Sequence, residues 1–202
     1  MKAVLVGASG TIGHAIRDLL KEKGYEVIEV SRSTQPAVNI DDPSSIDDFY
    51  ATIEQVDVIV SAAGSAAFTS LDKLTDEDIQ LSVNSKLLGQ VNLVRKGLSK
   101  LKPNGVFVIT GGILAYTPGP QTSMIAMVNA GLEGFARAAA LDLTEGRRIV
   151  VVHPPWVSET ATKLGMDASP WPNAATTAEA YLTAIEGSKN GEAVFVKGYK
   201  PA

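Results

Sequence analysis

Short apolar runs alternate with longer amphipathic stretches along the chain. The first run, residues 3–6, ends abruptly at Gly7, and apolar residues spaced three and four positions apart follow it, as on one face of a helix. The same alternation predicts strands over 3–6, 25–30, 38–40, 56–60, 106–110, 148–152 and 193–196. It predicts helices over 12–23, 44–54, 75–101, 123–144 and 178–186. Strands that alternate with helices indicate a parallel sheet covered on both faces, so we expect one doubly wound α/β domain over residues 1–202.

Three glycines at a spacing of three join the first strand to the first helix. Gly7 suits a tight turn out of the strand, Gly10 leaves room for a pyrophosphate beside the backbone, and Gly13 lets the helix pack closely on the strand. The free N–H groups of the first helical turn, with the hydroxyls of Ser9 and Thr11, are donors for phosphate oxygens. The pattern predicts nucleotide binding, and a purely structural turn is the alternative.

The end of the second predicted strand carries Ser31, Arg32 and Ser33 and no acidic residue. In a dinucleotide fold this point faces the adenosine ribose, where an acid binds the 2′-hydroxyl and an arginine suits a 2′-phosphate. Arg32 therefore favours NADP(H) over NAD(H). The alternative is a solvated arginine in a loop.

Composition excludes several function classes. The net charge is −4 and no basic block exists, which argues against nucleic acid as a partner. The absence of cysteine removes disulfides, thiolate zinc sites and cysteine nucleophiles, and His14 and His153 alone do not make a metal site, so we expect no metal. No apolar stretch approaches the ~20 residues of a membrane span, and the first apolar run is too short for a signal peptide. We expect a cytoplasmic protein that does not bind membranes.

Four segments resemble the short-chain dehydrogenase/reductase family, and the resemblance covers nearly the whole chain. They are GASGTIG at 7–13, SAAG at 61–64, LEGFARAAALDL at 132–143 and RRIVVVHPPWV at 147–157. The resemblance implies a Rossmann fold and hydride transfer between a nicotinamide cofactor and a small carbonyl or alcohol. Turn, strand ends and resemblance together give the expected cofactor contacts: Gly7, Ser9, Gly10, Thr11, Ile12, Gly13, Ser31, Arg32, Ser33, Asn39, Ile40, Ala62, Ala63, Gly64, Asn129, Pro154 and Val157.

The catalytic part departs from the family pattern. The register of residues 132–143 places the family's tyrosine on Ile125, its lysine on Asn129 and its serine on Gly112, or on Gly111 if the loop has one more residue. Isoleucine cannot supply a proton, and an amide carries no charge that would lower a neighbour's pKa.

Two residues remain as catalytic candidates. Asn84 stands where the family keeps an active-site asparagine, and Tyr116, in the loop expected to overhang the pocket, is the best candidate acid. An exposed loop tyrosine is the alternative for Tyr116. His153 is expected to bond the backbone. The chain is thus interpreted as an NADP(H)-binding oxidoreductase, with a catalytically weak or inactive dinucleotide-binding protein, a sensor or a structural subunit, as the alternative.

The protein is also expected to form an oligomer. The helices that begin at Thr75 and Ser123 carry small or apolar residues on more than one face. Because the family commonly pairs through these helices, the resemblance implies a homodimer or homotetramer. The alternative is that both faces are buried within one subunit.

Overall fold

The computed structural model describes residues 1–201, in which six strands form one parallel sheet in the order β2-β1-β3-β4-β5-β6. The strands are β1 (Lys2–Val6), β2 (Glu26–Val30), β3 (Val56–Ser61), β4 (Leu101–Thr110), β5 (Arg148–His153) and β6 (Glu192–Phe195). The helices are α1 (Thr11–Glu22), α2 (Pro43–Ala51), α3 (Asp76–Ser82), α4 (Gly89–Gly97), α5 (Ser123–Asp142), α6 (Ser158–Lys163) and α7 (Ala174–Glu186). The predicted doubly wound α/β fold is confirmed. From β1 the chain first adds β2 on one side and then β3 on the other, so the strand order reverses next to β1. Sheets of this kind bind ligands beside such a reversal.

Alternate residues of each strand pack into two cores on opposite faces of the sheet. In β1, Ala3 and Leu5 join the core beneath α1 and α7, whereas Val4 and Val6 join the core beneath α2, α4 and α5. Strands that are apolar on both faces form because both faces are covered by helices. None of the helices in residues 1–201 is long and apolar enough to cross a membrane.

The predicted strand over 38–40 is wrong. Only an isolated bridge joins Ser31 to Ala37, and the following residues form an irregular segment. The apolar pattern has another cause there, because Val38 and Ile40 are buried in the core beneath α2 and α4 while the backbone between them leaves the sheet.

The long helix predicted over 75–101 is interrupted and ends earlier. It opens at α3 with a reciprocal cap between Thr75 and Asp78, passes through a π-helical turn at Val83–Leu88, and ends as α4 at Gly97. A short 3₁₀ turn, Leu98–Lys100, leads into β4. A π turn inserts one residue per turn and is often found at functional sites.

Two boundaries differ toward the C-terminal half of the chain. The strand predicted over 106–110 begins earlier, at Leu101, and contains an irregularity, since Val56 pairs with Leu101 but Val58 pairs with Val106. The helix predicted over 178–186 begins earlier, as α7 at Ala174, where Asn173 caps it with its side-chain oxygen, and α6 precedes it.

Candidate functional site

The glycine turn after β1 is built so that two of its glycines cannot be replaced. Gly7 has a φ of +89°, and a Cβ there would lie 2.8 Å from the carbonyl carbon of Ala62. A Cβ on Gly13 would lie 2.0 Å from the carbonyl oxygen of Gly7. Gly10 is the N-cap of α1, and a Cβ there would meet only Gly7 O at 3.4 Å. The turn therefore brings the first turn of α1 directly above the end of β1.

A first cavity of about 430 Å³ opens beside this turn. It lies between the glycine turn, the end of β2 and the loop after β3, so it joins segments that are far apart in sequence. The predicted residues that line it are Gly7, Ser9, Gly10, Ser31, Arg32, Ser33, Asn39, Ile40, Ala62, Ala63 and Gly64. Five lining residues were not predicted: Val6, Val38, Asp41, Ser65 and Ser85.

The β2 end of this cavity is rich in donors. Ser31 Oγ lies 3.2 Å from Ser33 Oγ, and the Ser31 amide donates to Thr34 Oγ1 at 2.7 Å, which orders the loop around Arg32. Arg32 is exposed at the rim and forms no ion pair with residues 1–201. Its guanidinium is therefore available to an anion in the cavity.

A second cavity of about 230 Å³ adjoins the first, and the two share Ala62, Ala63 and Gly64 in their walls. Most of its lining is apolar and includes Phe68 and Trp156, whose rings lie 5.3 Å apart. The apolar lining residues are Ile12, Phe68, Ile113, Leu114, Ile125, Pro154, Pro155 and Trp156. Its polar side chains are Lys86, Thr110 and Asn129.

Asn129 occupies space that a serine side chain would need. A Cβ on Gly112 would lie 2.6 Å from Asn129 Nδ2, and a Cβ on Gly111 would lie 2.6 Å from His153 Cε1. Asn129 is almost completely buried, and its Oδ1 has no hydrogen-bond partner within residues 1–201. A buried amide oxygen without a partner is costly, so this oxygen suits a hydroxyl donor of a ligand.

Lys86 is a functional candidate that the sequence analysis missed. It lies on the π turn, is 7% exposed, and donates from Nζ to the carbonyl oxygen of Thr110 at 3.2 Å. Gln90 bonds both backbone groups of Thr110, at 2.9 Å from its amide nitrogen and 2.8 Å to its amide oxygen. A Cβ on Gly64 would lie 2.9 Å from Lys86 Cα, so the loop after β3 packs tightly on the π turn. Burial lowers the pKa of Lys86 to about 8.

A signal for Lys86 was present in the sequence. Lys86 and Gln90 are four residues apart and continue the helical spacing of the buried stripe that reaches Leu93 and Val94. A lysine within an apolar stripe indicates either a helix end or a buried site. Because the stripe continues for more than one turn after Lys86, the helix does not end there, and the pattern indicates a buried site.

The structure does not bring Asn84 to either cavity. Its side chain is exposed, and its carbonyl oxygen accepts the N–H of Gly89 across the π turn. Because the π turn changes which residues face inward, the neighbouring Ser85 and Lys86 line the cavities instead. Ser85 Oγ accepts the amide of Ser65 at 3.0 Å.

Tyr116 also lies outside both cavities. Its hydroxyl donates to Glu133 on α5, and its ring packs edge-on against His153 with centroids 5.4 Å apart. Burial and the Glu133 carboxylate raise the pKa of Tyr116 to about 12, which makes its hydroxyl a weaker acid than an ordinary phenol. Tyr116 is 40% exposed, so the alternative interpretation, an exposed loop tyrosine, describes its position better.

His153 bonds the backbone, as the sequence predicts. The amide of Gly112 donates to its Nδ1 at 3.1 Å, and its Nε2 lies 3.5 Å from a Glu133 carboxylate oxygen. Burial lowers the pKa of His153, so the ring is neutral at pH 7. His14 is exposed on α1.

Three of the expected cofactor contacts line neither cavity. Thr11 faces a separate groove between α1 and α7, Gly13 packs against Gly7, and Val157 is buried as the N-cap of α6. Ile12, Pro154 and Asn129 line the second cavity. Within residues 1–201 there is no group of three or more potential metal ligands.

Comparison with known proteins identifies the family of the chain. The family model described as Enoyl-(Acyl carrier protein) reductase matches residues 7–181, which is most of the chain. The chain belongs to the short-chain dehydrogenase/reductase family. The family is one of oxidoreductases, so the general function class expected from the resemblance is confirmed.

Curated relatives in this short-chain dehydrogenase/reductase family are reductases. The chain is 26% identical over 184 residues to the 3-oxoacyl-[acyl-carrier-protein] reductase FabG of Escherichia coli, covering 80% of this chain and 75% of that enzyme. It is 24% identical over 179 residues to the 3-oxoacyl-[acyl-carrier-protein] reductase of Bos taurus, covering 78% of this chain and 76% of that enzyme.

Solved structures give the same fold. The protein lin1944 from Listeria innocua superposes with a TM-score of 0.90 at 38% identity, covering 97% of this chain and 99% of that chain. A small-chain dehydrogenase solved in complex with NADPH superposes with a TM-score of 0.87 at 24% identity, covering 98% and 97%. This short-chain dehydrogenase/reductase therefore shares its architecture along almost its whole length with solved structures.

Proposed function

We propose that the chain binds a nicotinamide dinucleotide across the two adjoining cavities, prefers NADP(H) to NAD(H), and acts as an oxidoreductase on a small carbonyl or alcohol. One observation carries this proposal. The first cavity has the glycine turn on one side and, on the other, the guanidinium of Arg32, which no carboxylate within residues 1–201 pairs, and it continues into the second cavity past residues 62–64.

The residues present fit such a cofactor. The N–H groups at the start of α1, next to Gly10, suit a pyrophosphate, and Arg32 with Ser33 suits a ribose phosphate. In the second cavity, the free Oδ1 of Asn129 suits a sugar hydroxyl. When bound, the dinucleotide supplies or accepts the hydride, while the protein contributes binding and orientation.

The second cavity limits the substrate class. It holds about 230 Å³, and its walls are mostly aliphatic and aromatic, with the Phe68 and Trp156 rings together at one point. A small ligand with an apolar body and one oxygen function fits this lining better than a charged one.

A second candidate function rests on Ile125 and Gly112. Both line the second cavity at the family's tyrosine and serine positions, and neither side chain can donate a proton. A protein that binds the dinucleotide and turns over slowly or not at all, a sensor or structural member of the family, accommodates this observation directly.

Two measurements test the proposed function and separate the candidates. Calorimetric titration with NADPH and with NADH should show binding of both and tighter binding of NADPH. Oxidation of NADPH with a panel of small aldehydes and ketones then distinguishes an enzyme from a binding protein. Equal affinities for the two dinucleotides would contradict the NADP(H) preference, and binding of neither would overturn the function.

We further propose a homodimer, or a homotetramer made of two such dimers, through the long helical segment and α5. Leu81, Leu88 and Met127, which lie on these elements, are each more than 40% exposed, and Leu141 near the end of α5 is 87% exposed. Apolar side chains exposed along neighbouring helices indicate a surface that a second copy covers. Light scattering at micromolar concentration should give twice or four times the monomer mass, and Leu81→Glu with Leu88→Glu should shift it to the monomer.

A further inference from the structure

Lys86 is a buried cation that no acidic side chain of the described residues neutralises. It lies inside the protein on the π turn, and its single hydrogen bond within the described part of the chain goes to the Thr110 carbonyl. No aspartate or glutamate among residues 1–201 forms an ion pair with it. A buried charge without a counter-charge lowers the stability of the folded state, so its presence calls for a reason other than stability.

The position of Lys86 supplies that reason. Lys86 lines the second cavity together with Asn129 and Ile125, the residues at the family's lysine and tyrosine positions. An ammonium group has three donors, and the protein uses one of them on Thr110. The tight contact between Gly64 and the Lys86 backbone fixes the base of the side chain.

We propose that Lys86 is the catalytic cation of the second cavity, an inference that rests on the function proposed above. Its Nζ donates a hydrogen bond to the carbonyl oxygen of the substrate and delivers the proton to that oxygen. The carbonyl carbon gains the hydride and the oxygen gains the proton, so an alcohol forms. Lys86 is left as a neutral amine and regains a proton from water. Asn129 accepts a hydroxyl of the bound ligand at its free Oδ1.

The titration of Lys86 supports this role. Burial lowers its pKa to about 8, close to neutral pH, where a general acid can both hold and release its proton. Two titratable groups on neighbouring elements have pKa values shifted away from this range. Burial lowers the pKa of His153 on β5 and raises that of Tyr181 on α7, whose hydroxyl bonds Thr110 Oγ1. On α5, Glu133 is held by Tyr116 and Arg137.

The sign of the pH dependence follows. The charged form of Lys86 binds the carbonyl oxygen of the substrate. Substrate affinity should therefore be highest below about pH 8 and should fall as Lys86 loses its proton above that pH. Turnover in the direction of carbonyl reduction should fall over the same range, because the proton donor is lost.

The test compares Lys86→Met with Lys96→Met. Lys96 lies on α4 and pairs with Asp47 at the surface, away from both cavities, so it controls for the loss of a lysine from the same helical segment. We expect Lys86→Met to lower NADPH-dependent carbonyl reduction by about 10²–10⁴-fold and to remove the decline of turnover above pH 8. Lys96→Met should leave both unchanged.

A measurement on the unmutated protein keeps the proposal testable if Lys86→Met does not fold. In protein labelled with ¹³C and ¹⁵N at lysine, one Nζ signal should titrate near pH 8, well below an ordinary lysine at about 10.4, and should shift when NADPH is added. Lys86→Arg retains the charge but not a proton that leaves near neutral pH, so it should bind NADPH and fail in turnover.

The outcomes separate the two proposals. If NADPH and NADH both fail to bind the unmutated protein, the proposed function and the role of Lys86 fall together. If NADPH binds but Lys86→Met keeps turnover within about twofold of the unmutated protein, only the role of Lys86 is overturned. The same holds if no lysine signal titrates near pH 8 or responds to NADPH.

Discussion

The two adjoining cavities are built in different ways. The first is made largely of backbone and short side chains from segments that directly follow the strands β1, β2 and β3. The second depends on long side chains from the π turn, α5 and the loops after β4 and β5. In the first, the requirements of the fold and of the ligand coincide in the same glycines. In the second, the groups that do chemistry can change while the backbone stays the same.

With the register inferred from the sequence, this difference explains why the glycine turn matches the family pattern and residues 112, 125 and 129 depart from it. Replacing Gly7 or Gly13 would force backbone atoms apart, since an added Cβ would come within 2.8 Å or 2.0 Å of a neighbouring backbone atom. Ile125 and Asn129 are side chains of a continuous helix, and exchanging them leaves the helix intact. Fold stability thus protects the glycine turn but not the positions proposed for catalysis.

The largest effect should come from Gly13→Ala. The new Cβ would lie 2.0 Å from the Gly7 carbonyl oxygen, so α1 must move away from β1, and the amides that we propose to bind the phosphates move with it. We expect a loss of about 1–3 kcal/mol in the free energy of unfolding from overpacking, and a loss of NADPH binding to below detection by calorimetry. Gly119→Ala, in the loop before α5, is the matched control, because a Cβ there would meet no atom within 4 Å beyond its chain neighbours, and it should leave NADPH binding unchanged. Retained binding in Gly13→Ala would show that the turn is not the phosphate site.

Arg32→Ala should affect one dinucleotide and spare the other. The guanidinium lies free at the rim of the first cavity, so its loss should weaken NADPH binding by about 1.5–3 kcal/mol and leave NADH binding unchanged. Arg95→Ala on α4, which removes an exposed arginine bonded only to Asn92, is the control and should change neither affinity. Calorimetry with both dinucleotides checks this, and an equal loss for NADPH and NADH would mean that Arg32 does not contact the 2′-phosphate.

The sequence predicts the first cavity better than the second. The first cavity could be foreseen because its residues follow strand ends directly, and strand ends are visible in the hydrophobic pattern. The error at Val38–Ile40 arose because both residues are buried without belonging to a strand, and burial alone does not reveal hydrogen bonding to a sheet.

The second cavity could be predicted only in part. The positions of Ile125 and Asn129 in its wall follow from the helical register of α5, which is regular. The π turn at Val83–Leu88 could not be foreseen, because it shifts the register without an unusual residue to mark it. As a result Asn84 was expected at the site, whereas Ser85 and Lys86 line the cavities.

Gly112→Ser tests whether Asn129 now fills the space in the second cavity that the family's serine would need. A serine Cβ would lie 2.6 Å from Asn129 Nδ2, so restoring the family's residue should destabilise the protein by about 1–3 kcal/mol. Gly112→Ser combined with Asn129→Ala should recover most of this loss, since the clash is removed. Thermal or urea unfolding of the two single variants and the double variant gives the coupling energy, which should reach about 0.5–3 kcal/mol. Additive effects would show that the two positions are independent.

The smallest effect should come from Tyr116→Phe, the change that would be decisive if Tyr116 were the catalytic acid. Its hydroxyl is bonded to Glu133, its pKa is raised to about 12, and it lines neither cavity. Removing the hydroxyl therefore takes away one partly exposed hydrogen bond and should lower the free energy of unfolding by no more than about 1 kcal/mol. NADPH affinity and carbonyl reduction should stay within about twofold of the unmutated protein, whereas removing a general acid lowers the rate by about 10²–10⁴-fold. The measurement is NADPH oxidation across pH 6 to about 10, set beside Lys86→Met on the same carbonyl panel. A large loss in Tyr116→Phe with an intact rate in Lys86→Met would place the proton donor in the loop after β4 rather than on the π turn, and the second cavity would then depend on a movement of Tyr116 away from Glu133.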